Sequence, residues 1–206
     1  YTIGSVGRPI NGIDVKIGEN DEILLKGPTI TPGYYRRDAA NKAAFTEDGY
    51  FRTGDAGYIK DGELFLTDRI KDLFKTSNGK YIAPQMIESL LLVDRFIDQV
   101  VVIANERKFV SALIVPEFRL VEEWAKDHGI SADSREALCD DPKVQKMMME
   151  RIQTLQQQLA NYEQIKRFTL IAHHFSLESG ELTNTLKIRR PVIYKNFKEV
   201  IDKMYE

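Results

Sequence analysis

The sequence contains a single cysteine, Cys139, among 206 residues. One thiol cannot close an internal disulfide or build a cysteine-based zinc site. No apolar run reaches the ~20 residues that a membrane-crossing helix needs, and no cleavable leader pattern stands at the start. Neither sign of charge is in excess: 29 Lys and Arg stand against 31 Asp and Glu, for a net charge of -2. That balance excludes a broad basic field for coating nucleic acid. Internal repeats, low-complexity tracts, a Walker phosphate loop and a Ser-His-Asp set are also absent. What is present, 43% hydrophobic and 29% charged residues, is the composition of a folded globular chain rather than a disordered one. The length allows one large domain or two small ones. The chain opens on Tyr1, inside a strand–turn pattern, and is expected to lack an N-terminal part.

The first third is turn-rich and β-like. Ile13, Val15 and Ile17 alternate with polar residues, as in a half-buried strand, and Glu22–Lys26 reads as a second strand. Asp38–Ala44 reads as a short helix with Asp38 as its N-cap. Residues 57–60 and 63–67 flank Asp61-Gly62, a pair suited to a type I′ hairpin. Asn78-Gly79 marks a second hairpin tip between residues 71–76 and 80–82. The charged segment Asp68-Arg-Ile-Lys-Asp72 between the hairpins is a domain boundary by pattern.

Beyond it helices and strands mix. Pro84 opens a helix to about Val93. Residues 100–104 and 109–115 read as strands, Pro116 to His128 as a helix stopped by Gly129, and Pro142 to Tyr162 as a longer helix. The latter carries an apolar stripe of Val144, Met148, Leu155, Leu159 and Tyr162. Met147-Met148-Met149 reads as packing. Residues 167–171 form a further strand and Pro191 to Tyr205 a final helix. The expected fold class is α+β: a β-rich tail of a large domain, then a small C-terminal domain with a hairpin, a roughly three-stranded sheet and packed helices.

Three constellations could carry chemistry. In Tyr50-Phe-Arg-Thr-Gly-Asp55, a glycine before an acid at a turn lets backbone approach a ligand while Asp55 projects. A carboxylate can accept two hydrogen bonds from a ribose diol; a plain Gly-Asp turn is the competing reading. Arg69 lies beyond the first hairpin, which returns the chain toward Asp55. An acid for hydroxyls beside a guanidinium for phosphate suits a sugar–phosphate ligand, and a structural ion pair explains the spacing equally well. Lys187 follows a polar loop and precedes a helix, where a lysine can neutralise charge developing on phosphate or carboxylate oxygens; most lysines are simply solvated. The adjacent His173 and His174 would diverge on a strand. Cys139 reads as buried rather than nucleophilic.

Taken in order, Tyr50–Asp55, Asp68–Asp72, Ile82-Ala-Pro84 with Ile87-Glu88, and Leu182-Thr-Asn-Thr-Leu-Lys187 resemble the C-terminal part of the adenylate-forming (AMP-dependent synthetase and ligase) superfamily. Within it the chain is most similar to long-chain fatty-acid–CoA ligases. The resemblance runs from Gly4-Ser-Val-Gly-Arg-Pro9 to the end.

The resemblance implies a two-step reaction. A carboxylate attacks the α-phosphate of ATP to give acyl-AMP and pyrophosphate, then the CoA thiol displaces AMP. It assigns Lys187 to catalysis of the first step and Asp55, Arg69 and Thr53 to the nucleotide. Lys71 would be the hinge, and Ser77, Asn78, Gly79 and Lys80 would face the second step. Residues 1–67 would be the tail of the large domain, 68–73 the hinge and 74–206 the mobile domain. The phosphate loop, the adenine pocket, the magnesium-binding acid and the fatty-acid tunnel would all lie upstream of Tyr1. These residues then hold no metal themselves, and by themselves have no activity. The co-substrates are fatty acid, ATP with Mg2+, and CoA; the partner is the large domain of the same chain, and no nucleic acid is expected. The location is cytoplasmic, with peripheral membrane contact open because long acyl chains partition into bilayers. Two rivals stand beside this reading. One is an adenylate-forming enzyme that passes its acyl or aryl group to a carrier protein; the other is an interaction module that kept the fold and lost the chemistry. Thr-Asn-Thr-Leu-Lys187 departs from the Gly-Lys pair of many relatives, and residues 117–165 have no assigned role.

Overall fold

A computed structural model describes residues 2–206. They form two compact units, one up to Leu73 and one from Phe74 to Glu206. Residues 68–73, read as the hinge, belong to the first unit.

The first unit contains β1 (Asp14–Ile17), β2 (Glu22–Lys26), α1 (Asp38–Ala44), β3 (Phe51–Lys60) and β4 (Glu63–Arg69). The four strands form one antiparallel sheet in chain order. The first of them alternates as its sequence does, with Asp14 and Lys16 exposed and Val15 and Ile17 half-buried. Asp61 and Gly62 take φ of 53° and 78°, the two left-handed positions of a type I′ turn. Across that turn Tyr58 and Phe65 are in register and their rings stack 5.0 Å apart. Two local expectations change. Asp38 is the first residue of α1, not its cap; Arg37 occupies that position without a side-chain bond. The carboxylate still lies in the first turn, where the helix dipole favours it. Residues 50–55 do not make a turn either. Residues 51–55 run within β3, and the glycine–acid pair forms a bulge in it.

The second unit starts with a short hairpin, β5 (Phe74–Lys75) and β6 (Tyr81–Ile82), followed by α2 (Pro84–Leu91), β7 (Ile97–Ile103) and β8 (Val110–Pro116). Next come α3 (Phe118–Asp127), α4 (Arg135–Asp140), α5 (Pro142–Leu155), β9 (Ile165–Leu170), α6 (Arg190–Asn196) and α7 (Lys198–Lys203). β8 is the middle of a three-stranded sheet, antiparallel to β7 and parallel to β9. A parallel pair needs a long crossover, and α3 to α5 supply it. Every residue of β8 is buried, which explains its continuous apolar run. Ile87, Leu91, Val121, Val144, Met148, Ile152, Ile193 and Ile201 complete the core from the helices. The α+β reading holds.

Several boundaries move for identifiable reasons. Pro116 ends β8 instead of opening α3, because Glu117 N–H still donates to Phe96 O at 3.0 Å and keeps the chain extended. α5 stops at Leu155, well short of Tyr162. The buried Gln156 then bonds both main-chain groups of Ile165, at 2.8 and 3.3 Å, and turns the chain toward β9. Leu159 and Tyr162 therefore lie outside the helical stripe. The last helix breaks at Phe197, whose ring packs between His173 and Phe175. α4 was not anticipated; Ser134 caps it, accepting from Ala137 N–H at 3.1 Å. Met147 and Met148 are buried, as the packing reading holds. Cys139 is buried too, and burial pushes its thiol up to about 11, so it stays protonated and unreactive near neutrality. Among the described residues no helix is long and apolar enough to cross a membrane.

Candidate nucleotide and lysine sites

The Asp55 site is built by a bulge. Opposite the step from Glu22 to Leu24, β3 advances from Ala56 back to Arg52, so Thr53, Gly54 and Asp55 face one residue of β2. Gly54 takes φ of 71° with nothing within 4 Å of where a Cβ would stand; backbone conformation rather than crowding calls for glycine. Glu22, only 9% exposed, stitches the bulge. Its carboxylate accepts from Gly54 N–H at 3.2 Å and from Arg52 Nη1 at 2.8 Å. Thr53 Oγ1 donates to Ile23 O at 2.7 Å and accepts from Asp55 N–H at 3.1 Å. Its hydroxyl is thus engaged in building the bulge. Glu22 is a residue that sequence reasoning took only for a strand end.

The β3–β4 register then sets Arg69 opposite Asp55. Arg69 Nε lies 2.8 Å from Asp55 Oδ1, with the two side chains 60% and 34% exposed. The hairpin spacing does bring the pair together, and both groups keep a solvent-facing side. The chain continues from Arg69 into a 3-10 turn, Ile70–Asp72, on which Lys71 is exposed.

In the second unit two loops present lysines. Ser77, Asn78, Gly79 and Lys80 form the exposed end of the β5–β6 hairpin. Its base rests on the turn before β8: Ser77 N–H donates to Arg107 O at 3.0 Å and Asn78 Nδ2 to Lys108 O at 3.2 Å. Lys80 Nζ lies 5.5 Å from the Tyr162 ring centroid. Lys187 is exposed on the other loop, between the bridged residues Leu182 and Ile188.

Both legs of the Lys187 loop are anchored by buried carboxylates. On one side Glu181, 2% exposed, accepts from Ser179 Oγ at 2.7 Å and Asn196 Nδ2 at 3.0 Å. On the other, Arg190 makes a two-pronged bond to Glu88 of α2, at 2.8 and 2.7 Å. Glu88 also accepts from Val102 N–H at 2.8 Å. The Arg190 guanidinium sits 5.2 Å from the Phe74 ring centroid, so it joins the feet of the two lysine loops. Glu88 was quoted as a motif residue; its bond to Arg190 had no sequence signal, since the partners are 102 residues apart. The two histidines diverge, but beyond the end of β9 rather than on a strand: His173 stacks on Phe197 and His174 Nε2 lies 3.3 Å from Asp98. Among the described residues no group of three His, Cys, Asp or Glu side chains could hold a metal ion.

Comparison with known proteins gives this arrangement its context. The family model for the AMP-binding enzyme C-terminal domain matches residues 71–206. Long-chain-fatty-acid–CoA ligase FadD15 of Mycobacterium tuberculosis is 32% identical over 205 residues, covering 98% of this chain and 34% of that protein. The peroxisomal long chain acyl-CoA synthetase 7 of Arabidopsis thaliana is 33% identical, over 98% of this chain and 31% of its own length. The chain thus spans about a third of the length of these relatives. Among solved structures, the adenylation domain of a Mycobacterium chelonae carboxylate reductase superposes with a TM-score of 0.63 at 26% identity, covering 96% of this chain and 31% of that one. The O-succinylbenzoate coenzyme A synthetase of Bacillus subtilis in complex with AMP gives 0.54 at 25% identity, over 92% and 35%. By the family match and these relatives together, the chain belongs to the adenylate-forming enzymes and carries their AMP-binding C-terminal domain.

Proposed function

We propose that these residues are the C-terminal part of an ATP-dependent long-chain fatty-acid–CoA ligase. The observation that carries the reading is the pairing of Arg69 with Asp55 on a bulge whose left-handed turn favours Gly54, with an open carboxylate edge left for a ribose diol. Relatives at 30–33% identity include ones named as ligases or synthetases of long acyl chains, which supports the same substrate class here.

In the first step fatty acid and ATP, two anions, must meet. Asp55 accepts hydrogen bonds from the ribose hydroxyls. Arg69, held by Asp55, turns its remaining N–H donors toward ribose and phosphate. Lys187 donates to the carboxylate and α-phosphate oxygens, countering ground-state repulsion and the charge that grows in the transition state. In the second step the CoA thiol needs room where the lysine stood. The Ser77–Lys80 tip then faces the pantetheine, and Lys71, two residues before the boundary between the units, absorbs the backbone rotation. A large domain would complete the phosphate, adenine and acyl pockets and would supply the ligands of magnesium, whose charge would offset that of the ATP phosphates. The setting is cytoplasmic, with membrane contact limited to delivery of the acyl substrate.

The test is fatty-acid-dependent ATP–pyrophosphate exchange in the protein carrying that large domain, compared with its Lys187→Ala variant. Exchange is expected in the parent and a loss of about 10²–10³-fold or more in the variant. No exchange in the parent with any acid tried would sink the enzyme reading. Transfer to a carrier protein but not to CoA would replace the ligase with the carrier-loading rival.

A further inference from the structure

One local structure occurs at three places in this molecule, at Thr46–Tyr50, Thr76–Lys80 and Thr183–Lys187. In each, the first-residue threonine donates its N–H to the carbonyl of the fifth residue, at 2.8, 2.9 and 2.8 Å. Its carbonyl accepts from the N–H of the fourth residue, at 2.9, 2.9 and 2.8 Å. Its hydroxyl accepts from the N–H of the fifth residue, at 2.9, 3.1 and 3.0 Å. The fourth residue is left-handed each time: Gly49 at φ 82°, Gly79 at 77° and Leu186 at 58°. The sequences share only the leading threonine. The fifth residue, whose backbone the threonine side chain fixes, is Tyr50, Lys80 or Lys187.

From this we infer that Thr183 is the positioning residue for Lys187 in adenylation. The inference rests on the proposed role of Lys187. A lysine side chain has four rotatable carbons, and its ammonium can be aimed only if its own Cα is held. The turn is closed by the bridge between Leu182 and Ile188 and by two main-chain bonds of Thr183, to the Lys187 carbonyl and from the Leu186 N–H, at 2.8 Å each. The bond from Lys187 N–H to Thr183 Oγ1 at 3.0 Å is the one that holds the amide side of Lys187, on the peptide that follows the left-handed Leu186. Thr183 Oγ1 also lies 3.1 Å from Thr185 Oγ1, where either hydroxyl can donate; in both senses Thr183 Oγ1 keeps a lone pair for the Lys187 amide. Loss of that acceptor frees the peptide before Lys187, and a displacement of about 1 Å at a reacting group costs about 10²-fold in rate.

The experiment uses the protein with its large domain and compares Thr183→Val, Thr183→Ser, Lys187→Ala and Thr46→Val. Valine keeps the shape and lacks the acceptor; serine keeps the acceptor. The readouts are kcat and KM of fatty-acid-dependent ATP–pyrophosphate exchange, and the rate of CoA acylation from preformed acyl-adenylate. For Thr183→Val we expect kcat of exchange to fall about 10–10²-fold, with KM for ATP and acid within about twofold and acylation from the adenylate unchanged. Thr183→Ser restores exchange. Thr46→Val breaks the same bond in a turn with no lysine and leaves exchange intact. In the 206-residue chain, Thr183→Val speeds amide exchange at Lys187 without lowering the thermal midpoint by more than a few degrees. The inference is overturned if Thr183→Val exchanges pyrophosphate like the parent, if it slows both steps alike, or if serine fails to rescue. If Lys187→Ala is also silent, the fault lies with the proposed function and not with Thr183.

Discussion

The two units of this chain are built on opposite terms. Among the described residues of the first, only Ile23, Leu24 and Ala56 are buried apolar side chains, while Ile3, Val6, Ile10, Tyr34, Tyr35 and Leu66 are exposed. The second gathers its strands and helices around one continuous core, in which every residue of β8 is buried. A four-stranded antiparallel sheet with so little covered on either face gains little from burial, set against a backbone entropy cost of about 1–2 kcal/mol per residue. The unit bearing Asp55 and Arg69 thus rests on ladder bonds and local stitches such as Glu22. The unit bearing Lys187 is a folded body that carries its loops.

Cutting the chain between Leu73 and Phe74 gives the largest expected effect. Residues 74–206 should unfold in one cooperative transition, and residues 1–73 should show no transition in urea or on heating. Circular dichroism of the two pieces reads this directly. A sharp transition in the N-terminal piece would break the contrast.

The next effect compares the ion pairs. Arg190–Glu88 is shielded, with side chains 20% and 8% exposed, while Arg69–Asp55 is open at 60% and 34%. Glu88→Gln leaves the Arg190 charge and a Val102 N–H poorly matched inside the second unit and should cost about 3 kcal/mol. Asp55→Asn should cost less than about 1 kcal/mol and instead weaken AMP binding. The urea midpoint of Glu88→Gln, amide hydrogen exchange across the β3–β4 pair in Asp55→Asn, and AMP titration of both variants separate the two roles. Equal stability losses would mean that Asp55 is structural.

Alkaline pH should separate the units further. Burial raises Cys139 from an ordinary 9.0 to about 11 and Tyr194 from 10.0 to about 12. Both groups hold their proton more tightly when folded. Their contribution is therefore complete below about pH 9 and is lost as pH rises to about 11 for the cysteine, and between about 10 and 12 for the tyrosine. Urea midpoints of the second unit should fall from pH 9 upward, and Cys139→Ala should flatten the first part of that fall.

The units also differ in how legible they were. Strands and their α+β arrangement followed from alternation at Val15 and Ile17 and from the apolar runs of β7 and β8, because burial dictates those patterns. The Asp61-Gly62 hairpin returned the chain to Asp55, but the register of the turn alone would set Asp68 opposite it; a one-residue shift between Gly57 and Ala56 brings Arg69 there instead. The misplaced boundaries around α3, α5 and the final helix share one cause: a distant partner overrode a local signal. Gln156 ended α5 by bonding Ile165, Phe197 broke the final helix against His173 and Phe175, and the Phe96 carbonyl kept Glu117 extended. The bulge at Gly54 depends on the Glu22 carboxylate on another strand, and the Arg190–Glu88 anchor spans 102 residues. Neither leaves a periodicity to read. The recurring threonine turn went unseen because its third copy has Leu186 where the other two have glycine.

That substitution provides the finest comparison, since the same turn occurs in both units. A non-glycine residue in the left-handed region costs about 1 kcal/mol, and Leu186 recovers none of it by packing, being 69% exposed at φ 58°. Leu186→Gly should therefore stabilise the second unit by up to about 1 kcal/mol. The reverse exchange, Gly49→Leu at φ 82°, should destabilise the first by a similar amount, since a Cβ there meets only the flexible end of Lys26 at 3.6 Å. In the 206-residue chain the urea midpoint of the second unit measures the first shift, and amide hydrogen exchange at the Thr46–Tyr50 turn measures the second. If Leu186→Gly loses stability, the left-handed leucine is not strained and the three turns are not equivalent. If it gains stability while slowing adenylation, the strain belongs to the presentation of Lys187: the turn is held closed by Thr183 and opposed by Leu186, so that the lysine loop can leave this conformation as well as hold it.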